Sequence, residues 1–142
     1  MQHKIFGIKE SAPYYDRYGA YLIVENNGKI AVIETEKGLF LIGGGIETGE
    51  TDEECIVREC LEETGCSVII REKICSAETY CKHKTIGYFH PIQTYYSGEI
   101  CGKAGKPVEN GHRLKWMDYE LLKGQLYAEM QNWALEQWKK IR

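Results

Sequence analysis

Residues 44–66 read GGIETGETDEECIVRECLEETGC, and this stretch decides how the rest of the chain is understood. Thr51 followed by Glu54 is the pairing that lets a threonine and a glutamate satisfy each other's backbone N–H groups at a helix start. A helix over Asp52–Thr64 follows, and Gly65 is placed to end it in the left-handed conformation. At 100° per residue with Ile56 at zero, Glu53, Ile56, Val57, Cys60 and Thr64 fall within roughly 0–100°, a mostly apolar stripe for the core. Glu59, Glu62 and Glu63 fall at roughly 300°, 240° and 340°, a row of carboxylates beside that stripe, with Arg58 flanking them near roughly 200°.

Three carboxylates within one and a half turns repel one another by a few tenths of a kcal/mol per pair, and by more when partly buried. A divalent cation reverses the sign of that interaction, and hard oxygen ligands suit Mg²⁺, with Mn²⁺ able to substitute. The plain alternative is a solvated acidic helix face. Two features weigh against it: the acids follow the triple glycine Gly43-Gly44-Gly45, and none of the three has a Lys or Arg four residues C-terminal to it.

Upstream of the helix, residues 18–25 are rich in β-formers, and Asn26-Asn27-Gly28 reads as a tight turn into a second strand at residues 29–34. Lys37-Gly38 opens a short apolar run at residues 39–42 that leads into the glycines. Downstream, residues 68–79 and 85–96 read as two strands of a hairpin, with Lys82-His83-Lys84 near its turn. Residues 97–111 hold four glycines and read as a long loop, a kind of segment that is often functional. Residues 114–117 form a last short strand. Asp118 is placed to cap a helical tail bent near Gly124, with Met130, Trp133, Ala134, Trp138 and Ile141 at helical spacing. Strands mixed with one central helix and one terminal helix give an α/β (α+β) fold, a sheet sandwiched by helices, over a single domain of residues 1–142.

The segment resembles the Nudix box, whose pattern is Gly, five residues, Glu, seven residues, Arg-Glu, an aliphatic, any residue, Glu-Glu, any residue, Gly, an aliphatic. Gly44, Glu50, Arg58, Glu59, Glu62, Glu63 and Gly65 match it, and Cys60 and Cys66 stand at the two aliphatic positions. Composition makes a chance match at those seven positions a roughly 10⁻⁵ event over the chain. The resemblance implies a Nudix-type α/β/α sandwich with a mixed central sheet, and a MutT-like, Mg²⁺-dependent pyrophosphohydrolase. It implies that Glu59, Glu62 and Glu63 hold metal together with a main-chain carbonyl of Gly43 or Gly44, with Glu47 as a further ligand. Arg58 would orient a carboxylate, Glu50 or Glu59. The general base would be Glu59 or Glu109, the latter sitting in the glycine-rich loop, where the bland reading is a solvated acid.

The same resemblance narrows the substrate to a small nucleotide-like molecule, a nucleoside diphosphate linked to another moiety. The residue fifteen or so past the box is Cys81 rather than the proline of ADP-ribose enzymes, Tyr80 is too close for the diadenosine polyphosphate pattern, and no Ser-Gln-Pro-Trp run marks an NADH enzyme. A small, single-domain chain without those marks resembles the MutT-type group, which acts on nucleoside triphosphates, oxidised ones included. A non-catalytic, nucleotide-sensing binding module on the same fold is the alternative.

Bulk properties agree with a soluble globular protein. The formal net charge is −3 and no basic stripe occurs, which argues against a nucleic-acid partner. No window approaches the roughly 18 apolar residues of a membrane span. Lys9, Glu10, Asp16 and Arg17 interrupt the N-terminal region, so no export signal is read there and the expected location is cytoplasmic. The six cysteines then read as reduced thiols, and no Cys-x-x-Cys pair exists. A monomer or homodimer is expected. His83 could steady a terminal phosphate but reads as a solvated turn residue. Cys75, Cys81, His83 and His90 match no zinc template. Tyr80, Tyr88, Phe89, Tyr95 and Tyr96 could stack on a base, though strand aromatics more often pack across strands. Trp133 and Trp138 read as core or interface.

Overall fold

The computed structural model describes residues 1–102 and 111–142, and Glu109 lies outside the described residues. Element order is β1(Gln2–Phe6), β2(Tyr15–Asn26), β3(Lys29–Thr35), β4(Gly38–Phe40), β5(Ile42–Gly45), α1(Asp52–Thr64), β6(Ser67–Thr79), β7(Cys81–His83), β8(Gly87–Cys101), β9(Arg113–Asp118), α2(Tyr119–Leu122) and α3(Glu129–Lys140). The mixed sheet runs β1-β6-β8-β2-β3-β4, with β5 on β2, β7 on β8 and β9 on β3. β1 with β6 and β2 with β8 are parallel pairs, and the other pairs are antiparallel.

β2 organises this arrangement. Its residues Tyr15 to Val24 run beside β8, Gly19 to Leu22 also pair with β5, and its last two residues turn back on β3. Asn27 and Gly28 both have positive φ (54° and 80°), the geometry that a two-residue hairpin needs to match strand twist. Alternate residues of β2 face opposite layers. Ala20, Leu22 and Val24 pack with Cys55, Ile56 and Cys60 of α1. Tyr21 and Ile23 pack with Met130, Ala134, Leu135 and Trp138 of α3. Two helices on opposite faces of a mixed sheet are the sandwich expected from the sequence.

Helix α1 keeps its expected limits. Thr51 Oγ1 accepts from the Glu54 N–H at 3.1 Å, Glu54 Oε1 accepts from the Thr51 N–H at 2.9 Å, and Gly65 ends the helix at φ 74°. Its buried face is rotated from the expected one. Val57 is 48% exposed and Glu53 is exposed, whereas Cys55 and Glu63 are buried. The reason is tertiary: α1 lies against β5, whose Gly43 N–H takes Glu63 as its acceptor, so Glu63 is buried and Val57 is not.

Four further differences each have a physical cause. β1 has no signal in sequence because it is held by backbone pairing to β6 and by His3, which bonds Ser76 Oγ at 2.6 Å and also Glu78. The loop expected at residues 97–111 begins later, since β8 continues to Cys101. Gly98 is a close-packing glycine inside the sheet: a Cβ there would lie 2.4 Å from the Ile69 carbonyl oxygen. Asp118 makes no side-chain capping bond to α2. Ile141 lies beyond the end of α3 and is 61% exposed, so the buried stripe uses Leu135 instead. Among the described residues, no helix is long and apolar enough to cross a membrane.

Candidate active site

The site is built around β5. Among the described residues this strand pairs only with β2, so its other edge is open to side chains. Each of its three glycines is required for a different reason. At Gly43, whose φ is 142°, a Cβ would lie 2.3 Å from the Ala20 carbonyl oxygen. At Gly44 it would lie 2.6 Å from the Glu59 carboxyl carbon. At Gly45 it would lie 2.8 Å from Arg17 Nη2. The strand is therefore thin enough for an acid to rest on one face and a guanidinium on the other.

The open edge is closed by α1. Gly43 N–H donates to Glu63 Oε1 at 3.0 Å, and Arg58 Nη2 donates to the Gly45 carbonyl at 3.0 Å. Helix α1 is held in place by the Tyr96 hydroxyl, which donates to Asp52 Oδ2 at 2.7 Å. The Cys55 thiol donates to the Gly44 carbonyl at 3.4 Å, and burial pushes that thiol up to about 11. It stays a neutral donor across the physiological range.

Arg58 gathers the acids. Its Nε and Nη2 bind Glu50 at 2.6 and 3.0 Å, its Nη1 binds Glu59 at 2.8 Å and reaches Glu62 at 3.4 Å, and Glu47 lies 3.7 Å away. The fork on Glu50 is the bidentate geometry that makes such pairs strong. The Arg58 hydrogen bonds, with help from the Glu47 backbone N–H, hold the Glu50 carboxyl down at about 2. Arg58 is in turn held firmly protonated, chiefly by its bond to Glu50. Glu63 is only 5% exposed, and its second oxygen lies 3.8 Å from His112 Nδ1.

Glu59, Glu63, Gly43 and Gly44 open into a cleft of about 730 Å³. Its walls also carry Phe40 and Tyr127, whose rings lie 5.3 Å apart, with Arg17, Tyr21, Lys37, His83, Phe89 and His112. Tyr127 is held there from below: its N–H donates to the Leu39 carbonyl at 2.9 Å, and Asn132 grips both backbone groups of the preceding Leu126. Glu62 is half-buried against Arg58 and Glu47 is mostly exposed; neither lines this cleft. A shallower cavity of about 500 Å³ adjoins it, lined by Tyr15, Arg17, Glu47 and Glu50 among others.

Among the described residues no three His, Cys, Asp or Glu side chains converge as a ready-made cation cage. The donor set nevertheless suits a hard divalent ion. Mg²⁺ is commonly held by one or two carboxylates, with water and substrate phosphates completing its shell. Glu59 and Glu63 supply two carboxylates beside the backbone of Gly43 and Gly44. Sequence reasoning did not find Arg17, Tyr21, Phe40, Tyr127 or His112. Only the folded sheet brings them together; a signal for Arg17 exists in its alternation with Gly19 and Tyr21 on one strand face, and it is weak.

Of the residues set aside earlier, His83 and Phe89 line the cleft. Tyr95 and Tyr96 are buried packing residues, and Trp138 is core. His90 bonds Asp16 at 2.8 Å and Glu78 at 2.9 Å. All six thiols are free.

Comparison with known proteins gives a consistent picture. The NUDIX domain family matches residues 14–138. No curated protein sequence matches the chain. Among solved structures, a NUDIX hydrolase from Nitrosomonas europaea is similar with a TM-score of 0.76 at 18% identity, covering 89% of this chain and 90% of its own. A MutT NUDIX hydrolase from Burkholderia pseudomallei gives 0.73 at 22% identity, covering 87% and 98%. The MutT protein of Methanosarcina mazei Go1 gives 0.74 at 16% identity, covering 92% and 98%. At these identities the likeness concerns the fold.

Proposed function

The chain belongs to the Nudix family of hydrolases, and from that premise we propose that it cleaves the diphosphate linkage of a nucleoside diphosphate joined to a further group, with a nucleoside triphosphate, oxidised bases included, as the preferred substrate. The observation that carries this reading is the position of Glu59 and Glu63. Both face a cleft large enough for a nucleotide, against the glycine stretch Gly43–Gly45 of β5.

Glu59, Glu62 and Glu63, with the Gly44 carbonyl, are the groups that would hold a divalent cation, Mg²⁺ or Mn²⁺. When bound, such an ion draws charge from diphosphate oxygens and makes a coordinated water more acidic. The protein's own part is positioning. Arg58 fixes Glu59 and Glu50 in one orientation, so the carboxylates need not reorganise during reaction. Gly43 N–H fixes Glu63 in the same way.

Glu59 is the general base we propose: it accepts a proton from the attacking water as the new oxygen–phosphorus bond forms and the bridging bond to the leaving phosphate breaks. Glu109 is the other candidate and lies outside the described residues. Phe40 and Tyr127 offer an aromatic wall on which the base stacks. We read residues 1–142 as one such domain, working in the cytoplasm as a monomer or homodimer.

A panel of nucleoside triphosphates, sugar nucleotides and dinucleotides, assayed with Mg²⁺ and Mn²⁺ at several concentrations, tests this reading. Release of a nucleoside monophosphate from at least one member is expected, with pyrophosphate from a triphosphate or the phosphorylated remainder from a sugar nucleotide or dinucleotide. Binding without turnover across the panel would replace the hydrolase by the nucleotide-sensing module.

A further inference from the structure

We propose that Arg17 is a phosphate-gripping residue of this site, and that it sets how many phosphates the enzyme requires beyond the nucleoside. The inference rests on the reading of the cleft as a polyphosphate site and adds a residue and a selectivity to it. Arg17 stands on β2 two positions before Gly19 and four before Tyr21, so all three share one face of the sheet. That face is the one opposite Glu59, across β5. The guanidinium lies over Gly45, with Nη2, Cζ and Nε at 2.8, 3.0 and 3.1 Å from the place a Cβ would take. Burial raises the Tyr21 hydroxyl, and the nearby Arg17 guanidinium opposes that rise. Among the described residues no carboxylate pairs with it, although Glu47 and Glu50 line the same shallow cavity; Glu50 is taken by Arg58.

Two further facts give the group a direction. Arg17 lines both the main cleft and the shallower cavity beside it, so it stands where one opens into the other. The aromatic pair Phe40 and Tyr127 belongs to the β4 side of β5, whereas Arg17 belongs to the β2 and β8 side. A nucleotide with its base on Phe40 and Tyr127 must therefore lead its phosphates over the glycine strand toward Arg17. A planar guanidinium with unspent donors, exposed at the far end of that path, is built to take phosphate oxygens two at a time. The residue at position 45 is then part of the device, because any side chain there would lift Arg17 from its seat.

The test uses the full chain and two substitutions, Arg17→Gln and Gly45→Ala, with binding measured by calorimetry. The probes are AMP, ADP and ATP, and GMP, GDP and GTP, in EDTA and again with Ca²⁺ to limit turnover. Wild-type affinity should rise with phosphate number. Arg17→Gln should lose roughly 10- to 100-fold in triphosphate affinity and less than about threefold in monophosphate affinity, with an unchanged melting temperature. Gly45→Ala meets only the end of a flexible side chain, so it should keep the fold and reproduce part of the same loss. Arg17→Lys should recover part of the affinity, since a charge remains but the fork does not. Equal affinity of Arg17→Gln and wild type for the triphosphates would overturn the role of Arg17 while leaving the proposed function in place. A wild-type protein that binds none of the six would overturn both, and that baseline separates the two failures.

Discussion

Arg58→Met removes the fork and keeps most of the stem, which makes it the sharpest probe of how the carboxylates are held. The variant loses four bonds of 3.0 Å or less: two to Glu50, one to Glu59 and one to the Gly45 carbonyl. Bonds involving a charged partner are worth about 1.5–3 kcal/mol each when buried. Arg58 keeps 23% of its side-chain exposure, and solvated pairs are worth about 1 kcal/mol or less. Losing one partner of a buried pair costs roughly 3–5 kcal/mol. A destabilisation of about 3 kcal/mol follows, or a fall in melting temperature of about 10 °C for a chain of this length.

The pH dependence of that loss has a definite sign. Glu50 titrates near 2 in the folded protein against an ordinary 4.5. Its carboxylate is favoured by folding, so the stabilisation is fully present above about pH 4.5 and is lost as pH falls toward 2. The gap between wild type and variant should therefore be constant from pH 6 to 8 and shrink below pH 4.5. Thermal unfolding by circular dichroism from pH 3 to 8 measures it. A fall of less than 2 °C at pH 7, or a gap as wide at pH 3 as at pH 7, would refute the reasoning.

Three other outcomes follow from the same geometry. Glu63→Gln retains an acceptor for the Gly43 N–H, so its melting temperature should move little while turnover falls at least about 100-fold; steady-state rates showing full activity would place the cation elsewhere. Asn132→Ala strips both backbone partners from Leu126, leaving a buried N–H and carbonyl open at a cost of about 2–4 kcal/mol. Because Tyr127 follows directly, KM should rise more than kcat falls, and denaturant titration with kinetics checks both parts. Burial holds the Cys55 thiol near 11 and the Cys75 thiol near 12, and Cys60 and Cys66 are enclosed too. Native protein at pH 8 should therefore offer no more than two fast-reacting thiols to Ellman's reagent, from the partly exposed Cys81 and Cys101, and six would contradict the packing around α1.

The parts of the molecule that short-range chemistry decides could be read from the chain. Helix α1 carries its own start in Thr51 and Glu54 and its own stop in Gly65. The Asn27-Gly28 turn needs two positive φ angles, and the chain places its most permissive residues there. The spacing of Arg58, Glu59, Glu62 and Glu63 along one helix is likewise local, so the acids of the site were visible before the sheet was. What is not local was not visible. β1 exists because β6 is there to pair with it, and Gly98 looks like a loop glycine until Ile69 and Leu22 are packed against it. Periodicity put Val57 in the core and Glu63 outside because a helical wheel cannot know that α1 leans on a strand whose Gly43 N–H needs an acceptor.

The same reasoning explains the run of three glycines. Only Gly43 has the positive φ that favours glycine for its backbone alone. Gly44 and Gly45 have ordinary backbone angles, and their missing side chains make room for Glu59 on one face and Arg17 on the other. A substitution at either position would leave the strand free to form and would displace a charged group instead. The glycine run is thus better understood as the shape of a charge arrangement than as a hinge.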